Sequence, residues 1–300
     1  MKELVILSGK GGTGKTSITA SFAGLARNAI LCDADVDASD LHLVTAPEIR
    51  ETHDFKGGNE ARINPDICSG CGLCQSLCRF EAIQSPDTKD GPYAIDGLAC
   101  EGCGVCVELC TVQAIDFPQK TCGQWFASET RFGPMVHARL GIAEENSGRL
   151  VALVREEAKK RAREQHRDLI LTDGPPGIGC PVIASIGQAN AILIVAEPTV
   201  SGIHDMERVA KLAAHFNLPA MVCINKFDLN ADQSRTIEKL AQKHGLGFMG
   251  KIPFDPEFTQ AMIQGKSVME TAPNSEAAMA VKHIWKGVME SEAMSLDRIM

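Results

Sequence analysis

The stretch Gly9-Lys10-Gly11-Gly12-Thr13-Gly14-Lys15-Thr16 follows a short apolar run, Leu4 to Ser8, and opens a helix-forming segment, Lys15 to Arg27. It fits G-x-x-x-x-G-K-[ST] in the strand–loop–helix context that gives the pattern its meaning. Glycines let backbone N–H groups curl around phosphate oxygens, and the positive end of the helix dipole adds to the attraction. Lys15 is expected to reach the β- and γ-phosphates, and Thr16 to offer its hydroxyl to Mg²⁺. A glycine turn that only connects strand to helix is the bland alternative, yet all four fixed positions match. Residues Gly9, Lys10, Gly11, Gly12, Thr13, Gly14, Lys15 and Thr16 are therefore the candidate nucleotide-binding loop.

Outward from this loop, near-continuous apolar runs recur at Ile30–Asp33, Leu169–Thr172, Ala191–Val195 and Ala220–Ile224. Helical patterns separate them, at Leu150–Gln165 with Ser147 as its cap, and around 202–215 and 231–244. Apolar strands alternating with helices predict an α/β fold whose mostly parallel sheet is covered on both faces. Residues 51–118 break the rhythm with glycine, proline, aspartate and eight cysteines. The expected organisation is a discontinuous α/β domain, 1–52 and 118–300, interrupted by a small inserted α+β domain at 53–117.

Within the insertion, Cys68-x2-Cys71-x2-Cys74-x3-Cys78 recurs as Cys100-x2-Cys103-x2-Cys106-x3-Cys110. This is the bacterial-ferredoxin run, in which the fourth cysteine of each motif serves the other cluster. One [4Fe-4S] cluster is expected on Cys68, Cys71, Cys74 and Cys110, and a second on Cys100, Cys103, Cys106 and Cys78. Zinc is the competing metal, but structural zinc prefers two separated C-x2-C pairs closing one tetrahedron. Arg79 and Thr111 replace the usual proline after the fourth cysteine. Of the other four cysteines, Cys32 and Cys223 lie in apolar runs and read as core.

The chain has 300 residues, 44% of them hydrophobic, and a formal charge of −8. The acidic balance argues against a general nucleic-acid binder. No secretory leader is visible and no apolar run is long enough for a membrane span, so the expected compartment is the cytoplasm. There, clustered thiols read as metal ligands rather than disulfides.

The loop's second lysine, Lys10 in K-G-G-x-G-K-T, resembles the deviant Walker A of the MinD/ParA/nitrogenase-iron-protein superfamily. The resemblance implies a MinD/Mrp-type P-loop ATPase and an ATP-dependent homodimer in which Lys10 crosses to the partner's nucleotide. Leu31-Cys32-Asp33-Ala34-Asp35 resembles switch I, placing Asp35 near the attacking water with Asp33 in support; Asp37 is a third carboxylate left open. Ile170 to Gly177 resembles Walker B running into switch II, with Asp173 holding a Mg²⁺-bound water and Gly177 offering its N–H to the γ-phosphate. Asn225-Lys226-Phe227-Asp228 resembles a base-recognition turn, with Asn225 on the purine; N-K-x-D is also the GTPase motif, and ATP is inferred from the deviant loop. Glu197-Pro198-Thr199 and Ile252-Pro253-Phe254-Asp255 are similar to MinD/Mrp segments too. Cys180, seven residues past Asp173, matches the offset of a dimer-bridging cluster ligand in the nitrogenase iron protein, with Cys122 the candidate second ligand. Trp125 to His137, with Arg131 and His137, reads as core packing, with a collar between the modules as the alternative.

The function expected is ATP hydrolysis, with Lys10, Lys15 and Asp35 as catalytic residues, coupled to electron transfer through two [4Fe-4S] clusters toward a redox or iron–sulfur partner protein. An Mrp-like iron–sulfur carrier and a MinD-like positioning ATPase are the alternatives. A membrane tether is not expected, because the tail from Gly287 to Met300 holds Glu290, Glu292 and Asp297 against Arg298.

Overall fold

The computed structural model describes residues 1–86, 88, 91–141 and 147–295. Its strands are β1 (Lys2–Ser8), β2 (Ala29–Asp33), β3 (Glu48–Asn59), β4 (Arg62–Ile63), β5 (Ile83–Gln84), β6 (Ala94–Ile95), β7 (Ile115–Asp116), β8 (Gln119–Thr130), β9 (Gly133–Leu140), β10 (Leu169–Pro176), β11 (Ala191–Ala196), β12 (Ala220–Asn225) and β13 (Gly247–Ile252). The chain divides into two compact units. The first comprises Met1–His53, Trp125–Arg139 and Ser147–Met300, and the second Asp54–Gln124 and Leu140–Asn146. Asp297 and Arg298, on which the charge of the tail depends, lie outside the described residues.

A nine-stranded sheet runs in the order β13-β12-β11-β1-β10-β2-β9-β8-β3. The pairs from β13 through β9 are all parallel. β1 shows why the apolar runs are unbroken. Leu4 and Ile6 pack on one face, while Val5 and Leu7 pack on the other, and all four are fully buried. The first face is covered by helices Lys15–Leu25 and Glu276–Glu290, joined by Phe22 against Trp285 at 5.0 Å. The second is covered by helices Val200–His215 and Ala231–Lys243. Such a doubly covered parallel sheet leaves its strand tips, where β1, β2 and β10 end, as the place for a ligand.

Three strands depart from the sequence pattern. β3 is exposed at its first seven positions, so it shows no buried alternation to read. β8 and β9 form a hairpin around Arg131-Phe132, and β9 joins β2 in parallel through Leu31 opposite Met135. Trp125 to His137 thus belongs to the main sheet. The helix predicted from Leu150 runs Ser147–Glu164, which puts Ser147 in its first turn rather than ahead of it.

Two buried polar groups hold this framework. Arg155 donates to Glu3 through Nε at 2.9 Å and Nη2 at 2.7 Å, and to the carbonyls of Ala184 and Gly187. Thr172 Oγ1 adds a third donor to Glu3 at 3.0 Å. Removing one partner strands a buried charge. We therefore expect Arg155→Ala to cost about 3–5 kcal/mol of unfolding free energy. The apolar double variant Glu3→Met/Arg155→Leu should recover most of that loss in urea denaturation.

His137 is buried, with Nε2 2.9 Å from Ser128 Oγ and its ring stacked on Phe126 and His42. Burial, then the neighbouring His42 and Arg139 charges, push its pKa down to about 4. The unfolded chain takes up this proton near pH 6.5, whereas the fold refuses it until near pH 4, so stability present above 6.5 is lost on acidification. Between pH 7 and 5 the loss through His137 should be about 2 kcal/mol, and His137→Phe should lack it when denaturation is measured at both pH values.

Candidate functional site

The loop Gly9–Thr16 leaves the tip of β1 and enters helix Lys15–Leu25 with Gly12 and Gly14 at φ 78° and 88°. Side chains disfavour both conformations. Gly9 is required for space as well, since a Cβ there would collide with Asp205 of helix Val200–His215. The loop borders a cleft of about 330 Å³ that also takes in Asp35, Asn225, Phe254 and Met262.

Asp173, in β10 opposite Asp33 at the end of β2, organises the charges. Its Oδ2 accepts from Thr16 Oγ1 at 2.7 Å, and its Oδ1 accepts from Thr19 Oγ1 at 2.9 Å and lies 3.0 Å from Lys15 Nζ. Lys15 also reaches Asp35 Oδ2 at 3.4 Å. Burial opposes the charge on Lys15, but Asp173, Asp35 and Asp33 outweigh it and raise its pKa. Asp35 is pushed up to about 6, by burial first, against the pull of Lys15. Asp33 is wholly buried and pushed up to about 8, by burial and then by the charge of Asp173. Asp33 accepts from the backbone N–H of Asp35, from Ser39 Oγ and from the N–H of Leu41, so it braces the switch I turn. Lys15, Thr16, Asp35 and Asp173 thus converge at one point.

Other predicted residues are engaged elsewhere. Lys10 turns back onto its own chain, with Nζ 3.3 Å from Glu197 Oε2 and Ser201 Oγ and 3.4 Å from Thr199 Oγ1. Gly177 donates its N–H to Ser8 O at 3.0 Å, so a γ-phosphate contact would require that peptide to move. Asn225 lines the cleft, but its Nδ2 donates to Thr13 O at 2.8 Å. Lys226 binds Glu197 at 2.6 Å and Gly12 O at 3.2 Å. Asp228 accepts from the Phe254 N–H rather than lining the cleft. Sequence reasoning missed Thr19 and the bridging role of Glu197; the first repeats Thr16 at helical spacing, and the second carried only a motif likeness.

In the second unit, Cys68, Cys71, Cys74 and Cys110 border one small cavity, while Cys78, Cys100, Cys103 and Cys106 border another. Gly70, Gly72, Gly102 and Gly104 all have positive φ, which lets the chain wrap each cavity tightly. Ala114 N–H points to Cys110 Sγ at 3.3 Å. Among the described residues, no three or more Cys, His, Asp or Glu side chains gather around a single-ion site. Cys32 and Cys223 are core residues, with burial pushing both thiols up, Cys223 to about 12. Cys180 is exposed, whereas Cys122 is buried and is not a surface thiol.

The family profile described as the CobQ/CobB/MinD/ParA nucleotide binding domain matches residues 4–268. An uncharacterized protein of Methanocaldococcus jannaschii is 30% identical over 291 residues, covering 96% of each chain. An iron-sulfur cluster carrier protein of Aquifex aeolicus is 25% identical over 131 residues, 40% of this chain and 36% of that protein. The fold is similar to the MinD cell division protein of Aquifex aeolicus, with a TM-score of 0.57, 19% identity, and 97% and 98% of the two chains covered. No described helix is long and apolar enough to cross a membrane.

Because Asn225 ties β12 to the loop through Thr13, Asn225→Ala should loosen the loop's preorganisation. A loss of about tenfold in ATP-analogue affinity, the worth of about one net hydrogen bond, is expected in equilibrium titration.

Proposed function

The chain belongs to the CobQ/CobB/MinD/ParA nucleotide-binding family, and we propose that its ATP hydrolysis is coupled to electron transfer through two [4Fe-4S] clusters held in the second unit. The observation that carries the proposal is the sorting of eight cysteines onto two cavities, four on each, in the crossed sets that the ferredoxin spacing requires. A cube needs its thiolates spread around a cavity rather than gathered on one point, which fits the absence of a single-ion cluster among the described residues. When bound, such a group would supply one-electron chemistry. The chain's own residues provide thiolates, tight glycine turns and N–H donors to sulfur.

For ATP, Thr16 and Asp173 would hold Mg²⁺, one through its hydroxyl and the other through a bound water. Lys15 would neutralise charge on the β- and γ-phosphates, and Gly9 to Thr16 would cradle them. Asp35, at the site edge with its pKa raised, is suited to orient or deprotonate the attacking water. Lys10 would complete the partner's site in a nucleotide-sandwich homodimer, which requires it to leave Glu197. Asn225 is proposed to face the purine once the nucleotide is seated. Residues 1–52 and 118–300 would form the ATPase domain and 53–117 the cluster domain.

The carrier function named for the Aquifex aeolicus relative favours a second reading, in which the clusters are cargo handed to another protein. Tight retention separates the two: a resident cluster stays after a round of hydrolysis, whereas cargo leaves. After anaerobic reconstitution we expect about eight iron atoms and eight sulfides per chain, retained through ATP turnover beside an apo-ferredoxin acceptor. Transfer of iron to the acceptor would favour the carrier reading. Lys15→Ala should lower kcat for ATP hydrolysis by roughly 100-fold or more without changing the iron content.

A further inference from the structure

The second unit is an internal duplication, and its two halves differ where they face the cavities. Every matched position is shifted by the same step: 100 − 68 = 32 for the first cysteines, and likewise from Cys78 to Cys110. The step holds for the surrounding frame. Ile63 in β4 pairs with Ile115 in β7, and Ile95 in β6, 32 residues after Ile63, pairs with Ile83 in β5, 32 residues before Ile115. Glu81 and Gln113, also 32 apart, share an unusual φ of 53° and 52°. Because the frame is repeated, differences in cavity lining are not forced by the fold.

The differences run one way. The cavity of Cys68, Cys71, Cys74 and Cys110 is lined by the hydroxyls of Ser69, Tyr93 and Thr111. The positions matching Ser69 and Tyr93 in the other cavity are Glu101 and Ala61, while the apolar lining is alike, Phe80 and Ile83 standing where Val112 and Ile115 line the first cavity. Ser69 stands between Cys68 and Cys71 in the chain and lines the cavity with both. Cys110 Sγ accepts from the Ala114 N–H. Tyr93 is the chain's single tyrosine, and its hydroxyl lies 2.8 Å from where a Cβ on Gly72 would stand. Over Gly104, the matching glycine, lies the ring of Phe117, which has no hydroxyl. Glu101, which lines the second cavity, and Arg79, next in the chain to Cys78, are both exposed, so solvent screens their charges.

Resting on the two-cluster reading, we propose that the two clusters are unequal, and that Ser69 and Tyr93 make the Cys68 cavity the higher-potential site, where a single electron settles. Reduction adds one negative charge to a cube and its thiolates. Hydroxyls lining the same cavity as the sulfurs can donate to them and stabilise that charge, which Glu101 and Ala61 at the matching positions do not do. The Cys100 cavity would then hold the low-potential cluster, through which the electron passes without resting. The electron comes from an external one-electron donor; in the test this is dithionite.

The experiment is an anaerobic dithionite titration of the full-length reconstituted protein, followed by electron paramagnetic resonance, for wild type, Ser69→Ala, Tyr93→Phe and the double variant. We expect two separate one-electron steps in the wild type, with the first cluster favoured at least tenfold, equivalent to about 59 mV. Each single variant should lower the higher step at least threefold and leave the lower step in place, and the double variant should bring the two steps together. Coincident reduction of both clusters in the wild type overturns the inference, as does a gap that the variants leave unchanged. Iron content is measured on every sample. A wild-type value well below about eight per chain overturns the two-cluster reading itself, and this inference with it.

Discussion

The carboxylate of Asp173 sits fully buried within β10, flanked by β1 on one side and by Asp33 at the end of β2 on the other. It accepts from two threonines one helical turn apart and pairs with Lys15. This one group joins the central strand to the loop helix. Its charge is the largest of those that raise the pKa of Lys15, and it adds to burial in raising that of Asp33. Lys15 is held between the carboxylates of Asp173 and Asp35. A Mg²⁺ ion would take over part of that negative charge and leave Lys15 free for the phosphates, which is the physical reason for the site to respond to a metal-bound triphosphate.

From Asp33 the chain runs through Asp35 and the short helix Leu41–Thr45 into β3, whose far end already belongs to the second unit. The segment that would sense the γ-phosphate is therefore continuous in sequence with the segment that carries the cysteines. The return path, β8 into β9, reaches β2 beside the same site through Leu31 and Cys32. Two covalent connections of this kind are the means by which a nucleotide state could bias the second unit, and they motivate the coupling proposed above.

Much of this was legible from spacing. The loop Gly9–Thr16 and the two cysteine runs are local patterns, and local patterns carry their own geometry, down to the crossed cysteine sets. The parallel strands were legible because each is buried on both faces. β3, β8 and β9 were not, since an exposed strand and a mixed polar hairpin leave no period to read. Long-range partners were also hidden. Nothing around Asn225 says that its amide will reach Thr13, nor around Glu197 that it will take both Lys10 and Lys226. Gly177 and Asp228 show the same limit, because nothing in their motifs announces the hydrogen bonds to Ser8 and Phe254.

The central claim is that nucleotide state and cluster chemistry are linked. Its most direct test is the midpoint potential of each cluster in the reconstituted protein with no nucleotide, with Mg-ADP and with a non-hydrolysable Mg-ATP analogue. Linkage predicts that the ATP analogue moves at least one potential by on the order of tens of millivolts relative to ADP, where about 59 mV is a tenfold change in equilibrium. Potentials that stay fixed across all three states, in protein shown to bind the analogue, would contradict it and leave the clusters as passive passengers on an ATPase.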